Sequence, residues 1–252
     1  MAKKKVKKRL NVKALLVLIL IIYLIYMIVY SFLSMPIKNI YITGTSNLSD
    51  NDIIEAANIK NYPSMLKLSS SKIEKNLKKM DYIEDVKVRR NLFGKLTIDV
   101  VEAKILFYNR NTGKLVLSNG KEVDDENKYG YPSLINYVPK EIYSKMISSL
   151  KKANFNILYS VSEMEYSVSR SGDKIIDDTR FIFRMNDGNT VYINLINIKN
   201  LNKYQDIYAT VGDIKGVMYL DSSSNENIYF KSYESIQKEA NSGEEEKNEW
   251  KL

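Results

Sequence analysis

Two adjacent carboxylate pairs, Asp124-Asp125 and Asp177-Asp178, are the residues spaced for acid–base work. A general acid and a general base must converge on one reacting group. Neighbours on a strand point to opposite faces, and both pairs lie in polar, turn-like sequence. They read as solvated turns. The chain has no His and no Cys. That removes the commonest general base, the commonest transition-metal ligand, thiol nucleophiles, thiolate metal sites and disulfides. No Gly-rich phosphate loop, G-x-S-x-G or calcium-loop pattern is present. Ser and Lys are everywhere, and no spacing singles out a dyad. No catalytic residue, cofactor site or metal site is expected.

The chemistry that remains is recognition, and the elements decide where it can sit. Ala14 to Leu33 reads ALLVLILIIYLIYMIVYSFL, without charge, Pro or Gly. About 20 helical residues at 1.5 Å each cross a hydrocarbon core of roughly 30 Å. A buried soluble helix would show a polar stripe, and this stretch shows none. Lys3, Lys4, Lys5, Lys7, Lys8, Arg9 and Lys13 precede it, and the next cation is Lys38. By the positive-inside rule residues 1–13 are a cytoplasmic basic segment, and everything after Leu33 is extracytoplasmic. A cleaved signal peptide would need an apolar run of about 7–15 residues and a small-x-small site, and Ser31–Met35 supplies none.

Removing those seven cations leaves 31 against 30 acids, so the remainder is close to neutral despite a net charge of +8. Nucleic acid is not an expected partner. An exported domain without Cys fits a bacterial envelope protein better than a eukaryotic one.

Pro36 ends the span. Ile37 to Thr43 reads as a strand and Gly44–Asn47 as a turn. Ser49 caps a helix that carries Ile53, Ile54, Ala57 and Ile59. A second helix starts at Ser69-Ser70-Ser71, with Ile73, Leu77 and Met80 inward and Lys72, Lys75, Lys78 and Lys79 toward water. Ile83–Arg90 and Lys95–Glu102 form a hairpin around Asn91–Gly94, with Leu96, Ile98 and Val100 on one face. Ile40, Ile42, Ile54, Ile73, Leu77, Val86 and Ile98 are the expected core. The order β-α-α-β-β spans residues 37–102.

This order, with Ile37-x-x-Ile40-x-Ile42-x-Gly44, Asn47-Leu48-Ser49, the VKVRR run at Val86–Arg90 and Leu96-x-Ile98-x-Val100-x-Glu102, resembles the POTRA domain of the FtsQ/DivIB family of bacterial cell-division proteins. Two departures are Leu92-Phe93-Gly94, where the family often has Pro, and Ala103-Lys104-Ile105, where it often has a basic residue and Pro. From 103 to 233 the chain reads as a second, mixed β-rich domain. Strands are expected at Ile105–Asn109, Lys114–Leu117, Val161–Tyr166, Arg180–Met185, Thr190–Ile193, Val217–Asp221 and Asn227–Tyr233. Helices are expected near Lys140–Asn154 and Ile198–Val211. This part also resembles the family's second domain. The fold class is therefore α+β, and residues 234–252, polar and acid-rich, are expected to be disordered.

The resemblance implies a non-enzymatic, single-pass scaffold of the division machinery at the septum. It would bind small bitopic FtsB/DivIC-like and FtsL-like proteins and help regulate septal peptidoglycan synthesis. Other readings are a membrane-anchored envelope hydrolase and a POTRA-bearing secretion or sporulation assembly factor. The closing strand Asn227–Tyr233 is a natural edge, open to strand addition. The resemblance places the FtsB/DivIC contact there, which selects Tyr229, Phe230 and Tyr233 with Tyr219 and Leu220. The Lys-rich helix and Trp250 read as a solvated face and an unstructured tail residue.

Overall fold

The computed structural model describes residues 11–64, 67–91, 93–124, 130–222 and 228–249. The chain divides into two compact units, Met1–Glu102 and Ala103–Leu252.

Unit 1 begins with helix α1, Val12–Ser34, long and apolar enough to cross a membrane. The Asn11 side chain caps it by accepting from the Ala14 N–H. Strand β1 (Asn39–Thr43) leads to α2 (Asp50–Ala56) and α3 (Ser70–Leu77), then to β2 (Ile83–Arg90) and β3 (Lys95–Glu102). Ser49 and Ser69 accept from the N–H groups of Asp52 and Lys72, as expected for Ser caps. The sheet order is β1-β3-β2, with β1 parallel and β2 antiparallel to the central strand. Central placement buries Leu96, Ile98 and Val100 on the face that meets Ile53, Ile73 and Leu77. Of the expected core, Ile73, Leu77, Val86 and Ile98 are buried, whereas Ile40, Ile42 and Ile54 are partly buried. Ile53 takes the deep position beside Ile54, because a short helix turns only one of two adjacent residues fully inward.

Unit 2 contains β4 (Ile105–Asn109), β5 (Lys114–Leu117), β6 (Glu122–Val123), β7 (Ser133–Leu134), α4 (Lys140–Leu150), α5 (Phe155–Leu158), β8 (Val161–Tyr166), β9 (Ser169–Ser171) and β10 (Lys174–Asp177). β11 (Arg180–Met185), β12 (Thr190–Asn194), a 3-10 turn (Ile198–Lys203), α6 (Tyr204–Val211), β13 (Gly216–Tyr219), β14 (Tyr229–Ser232) and α7 (Tyr233–Glu249) follow. Nine strands form one sheet in the order β14-β13-β12-β11-β8-β7-β4-β5-β6, and β9 and β10 form a separate ribbon. Helix residues Ile142, Met146, Leu150, Leu158, Leu201 and Tyr204 join Phe107, Phe181, Phe183 and Met218 in one core.

The disordered tail expected from composition is corrected: Tyr233–Glu249 is helical. Average polarity does not oppose a helix rich in Glu, Lys, Gln and Ala. The Ser232 hydroxyl accepts from the Ser235 N–H, and Lys238 pairs with Glu234 one turn back at 2.7 Å. Lys231 reaches Glu239 at 2.9 Å, tying the helix to the strand before it. Trp250 lies outside the described residues.

Candidate partner-binding edge

β14 is the last strand of the nine-stranded sheet, and among the described residues no strand lies beyond it. It pairs antiparallel with β13, Val217 opposite Lys231 and Tyr219 opposite Tyr229. The Tyr233 N–H donates to the Lys215 carbonyl at 3.0 Å, which fixes the ladder's phase. Hydrogen-bonded and non-hydrogen-bonded pairs alternate in such a ladder. Lys231 and Tyr229 therefore bond inward to β13. The N–H and C=O of Phe230 and the N–H of Ser232 point to the open side.

The five residues selected from the sequence separate in space. Tyr219 and Tyr229 stand on the solvent face, their rings stacked at 4.6 Å and 20°. Phe230 is partly buried and packs from the other face against the unit 2 core. Leu220 is fully buried in that core, one residue out of phase with Tyr219. Tyr233 is not a strand residue. It opens α7, and its hydroxyl donates to the Gly188 carbonyl at 3.2 Å and lies 2.8 Å from Thr190 Oγ1. The chain turns into a helix there because Ser232 supplies a cap.

Tyr219 and Tyr229 belong to a longer array. Tyr192 on β12 stacks on Tyr219 at 5.2 Å and 9°, and the Arg180 guanidinium covers the Tyr192 ring at 4.8 Å. One cation and three rings thus run from β11 to the edge, each on a different strand. Partial burial first, then the neighbouring Tyr229 and Tyr192, pushes the Tyr219 pKa up. The hydrogen bond and charge of Glu239 push the Lys231 pKa up. Tyr192 and Arg180 escape the sequence reading. The available signal was alternation itself, since both occupy outward positions of expected strands.

The edge is held in place by two polar clusters. At the β11–β12 turn, Tyr204 donates to Asp187 Oδ2 at 2.6 Å and accepts from Asn189 Nδ2 at 3.2 Å. Asn189 is buried, and its Oδ1 accepts the Gly216 N–H at 3.0 Å, which locates β13. Burial, with the Asp187 acceptor, raises the Tyr204 pKa. At the opposite end, Asn194 donates to Asp177 Oδ2 at 2.9 Å and to the Asp221 carbonyl at 2.8 Å. Asn200 donates to the Leu220 and Ser222 carbonyls.

Asp177 is thereby corrected from a solvated turn to a half-buried acceptor. Burial would raise its pKa, but the Thr179 hydroxyl and N–H and Asn194 outweigh it and hold the carboxyl below its ordinary value. Asp178 is exposed. Asp124 is an exposed partner of Lys114, and Asp125 lies outside the described residues. The α3 cations Lys72, Lys75, Lys78 and Lys79 are exposed, and Lys78 pairs with Asp85.

Residues 35–103 match the FtsQ-type POTRA domain family. The chain is 27% identical to the cell division protein DivIB of Listeria monocytogenes over 240 residues, 91% of this chain and 86% of that one. It is 26% identical to DivIB of Bacillus anthracis over 223 residues, 85% of this chain and 82% of that one. The solved major extracytoplasmic domain of the trans isomer of DivIB from Geobacillus stearothermophilus aligns with a TM-score of 0.36 and 24% identity. That alignment covers 44% of this chain and 94% of that one. The POTRA match after an apolar N-terminal helix, and the collinear similarity to DivIB over most of both chains, support a cell-division protein of the FtsQ/DivIB type.

Proposed function

We propose that this cell-division protein is a non-enzymatic scaffold of the divisome. α1 holds it in the cell membrane as a single-pass anchor, its N-terminus in the cytoplasm and residues 37–233 outside. The POTRA domain at 37–102 and the β domain at 103–233 act as docking modules at the septum. β14 takes a strand from an FtsB/DivIC-like bitopic protein, with an FtsL-like protein in the same assembly, and this contact helps regulate septal peptidoglycan synthesis.

The observation that carries this reading is the β14 edge, beyond which no strand lies among the described residues, with outward-pointing main-chain groups at Phe230 and Ser232 beside the exposed Tyr229 ring. Strand addition uses main-chain bonds for affinity and alternate side chains for specificity. Tyr219, Tyr229 and Phe230 would meet the partner. Leu220 and Tyr233 would support them from within.

The test is capture of DivIC-type partners by the full chain in membranes. Ser232→Pro removes an outward N–H and the α7 cap, whereas Ser232→Ala removes only the cap. Capture should fall with Pro and persist with Ala, and Tyr229→Ala should weaken it about tenfold, the loss expected of an aromatic hot spot. Undiminished capture by folded Tyr229→Ala and Ser232→Pro would remove β14 as the site.

A further inference from the structure

The chain leaves α1 at Ser34 and is at once tied to two loops of the POTRA unit. Pro36 bridges Ser64, and the Ile37 N–H donates to the Pro63 carbonyl at 3.2 Å. The N–H groups of Lys38 and Asn39 donate to the Gly94 carbonyl at 2.8 and 3.3 Å. A residue spans at most about 3.6 Å, so Pro36 lies within roughly 7 Å of the helix end. The headgroup layer on each side of a bilayer is itself about 6 Å deep. The 23 residues of α1 extend about 35 Å, longer than a core of roughly 30 Å, so the end of the helix already enters that layer. Lys38 is four residues past Ser34, so the 61–64 loop and the β2–β3 tip are tied to chain that lies within roughly 14 Å of the helix end.

Both loops carry exposed aromatic rings. Phe93 is 79% exposed at the hairpin tip, and Tyr62 is 51% exposed on the other loop. The tip is a built turn. Asn91 Oδ1 accepts the N–H groups of Phe93 at 3.1 Å and Lys95 at 2.9 Å, and the Asn91 N–H donates to the Lys95 carbonyl at 3.0 Å. Gly94, at φ +81°, lets the turn close, and a Cβ there would sit 3.3 Å from the Pro36 carbonyl oxygen. A polar residue would serve this turn in water, yet it presents Phe. Lys38, Lys60 and Lys67 are exposed in the same segments. Aromatic rings concentrate at membrane interfaces, and cations there are drawn to anionic lipid.

We propose that the β2–β3 tip docks into the lipid surface that α1 crosses, with Phe93 seated at the headgroup–acyl boundary and Tyr62 on the second loop. The POTRA unit would then meet the bilayer at three points, which fixes its tilt. The proposal rests on α1 spanning the membrane.

The chain has no Cys, so single labels are specific. The full chain is placed in vesicles of phosphatidylglycerol and phosphatidylethanolamine, with one environment-sensitive fluorophore on Phe93→Cys, Lys95→Cys, Ile22→Cys or Asp85→Cys. Nitroxides are carried at the headgroup or deep in the acyl chains. The Phe93 and Lys95 labels should be blue-shifted and quenched mainly by the shallow nitroxide, and the Ile22 label mainly by the deep one. Asp85, toward the other end of β2, should respond to neither. Adding Phe93→Ser should reduce shallow quenching at Lys95. A quenched Ile22 label with Phe93 and Lys95 labels that behave like Asp85 would overturn the docking and leave the span intact. An unquenched Ile22 label would overturn the span and the docking together. A blue shift at Phe93 without lipid quenching would mean a protein surface covers the tip, and would overturn the docking.

Discussion

Leu77 has no exposed surface and meets the central strand of the POTRA unit. Truncating such a residue to Ala costs about 2–5 kcal/mol through lost transfer energy and a residual cavity. Leu77→Ala should lower the melting transition of unit 1, and an unchanged melt would be inconsistent with the placement of α3. Glu102 works differently. Its carboxylate accepts the N–H groups of Ser46, Asn47 and Leu48 at 2.8 to 3.1 Å and clamps the β1–α2 loop. Burial would raise its pKa, but those N–H donors outweigh it and hold the group below its ordinary value. A depressed carboxylate pKa stabilises the fold above the unfolded value of about 4.3, and the benefit is lost as pH falls through the folded pKa. Glu102→Gln should therefore reduce hydrogen-exchange protection of residues 46–48 at neutral pH and flatten its decline in acid. If the wild type and the variant lost protection in parallel on acidification, the clamp would not depend on charge. The sequence marks Glu102 as the end of a strand and no more. Its partners lie more than 50 positions away, beyond the reach of local periodicity.

At the scale of elements, β14 depends on a close approach that only Gly allows. A Cβ on Gly216 would fall 2.1 Å from the Lys231 carbonyl oxygen and 2.7 Å from the Phe230 ring. Gly216→Ala should push β14 off β13 while the rest of the unit 2 core holds. Amide protection at Tyr229 and Lys231 should be lost selectively, and partner capture with it. Retained protection at both amides would show that the strand shifts without detaching. Much of this architecture was legible in the sequence. Arg180–Met185 forms as read, because Phe181, Phe183 and Met185 alternate onto a real core. Val161–Tyr166 also forms, with a bulge that puts Val161 and Met164, three apart, on that core. The β9–β10 ribbon was not legible. It buries almost nothing, and Ile175 and Ile176 are adjacent and exposed, so no alternation marks it. α7 was missed for a related reason: caps and i,i+4 pairs hold it, and bulk composition does not register them.

For the whole molecule, the strongest asymmetry is in charge along the chain. Six cations precede α1, Lys13 lies in its first turn, and no further cation occurs until Lys38, which favours retention of the N-terminal side in the cytoplasm. That single bias would place residues 37–102 of unit 1 and the whole of unit 2, with the POTRA domain and the β14 edge, outside. The candidate site is legible in sequence only as a position, the closing strand. Its array of Arg180, Tyr192, Tyr219 and Tyr229 comes from four strands whose register only the folded sheet sets. Orientation, by contrast, needs no register and can be tested on the chain alone. A reporter active only in the cytoplasm, fused after Leu252, should be silent. Replacing Lys3, Lys4, Lys5, Lys7, Lys8, Arg9 and Lys13 by Gln should restore activity in part of the population, since each cation moved across an apolar core opposes inversion. Full activity in the unaltered fusion would put unit 2 in the cytoplasm, out of reach of septal peptidoglycan. Silence in both fusions would mean that something other than the basic segment sets the orientation.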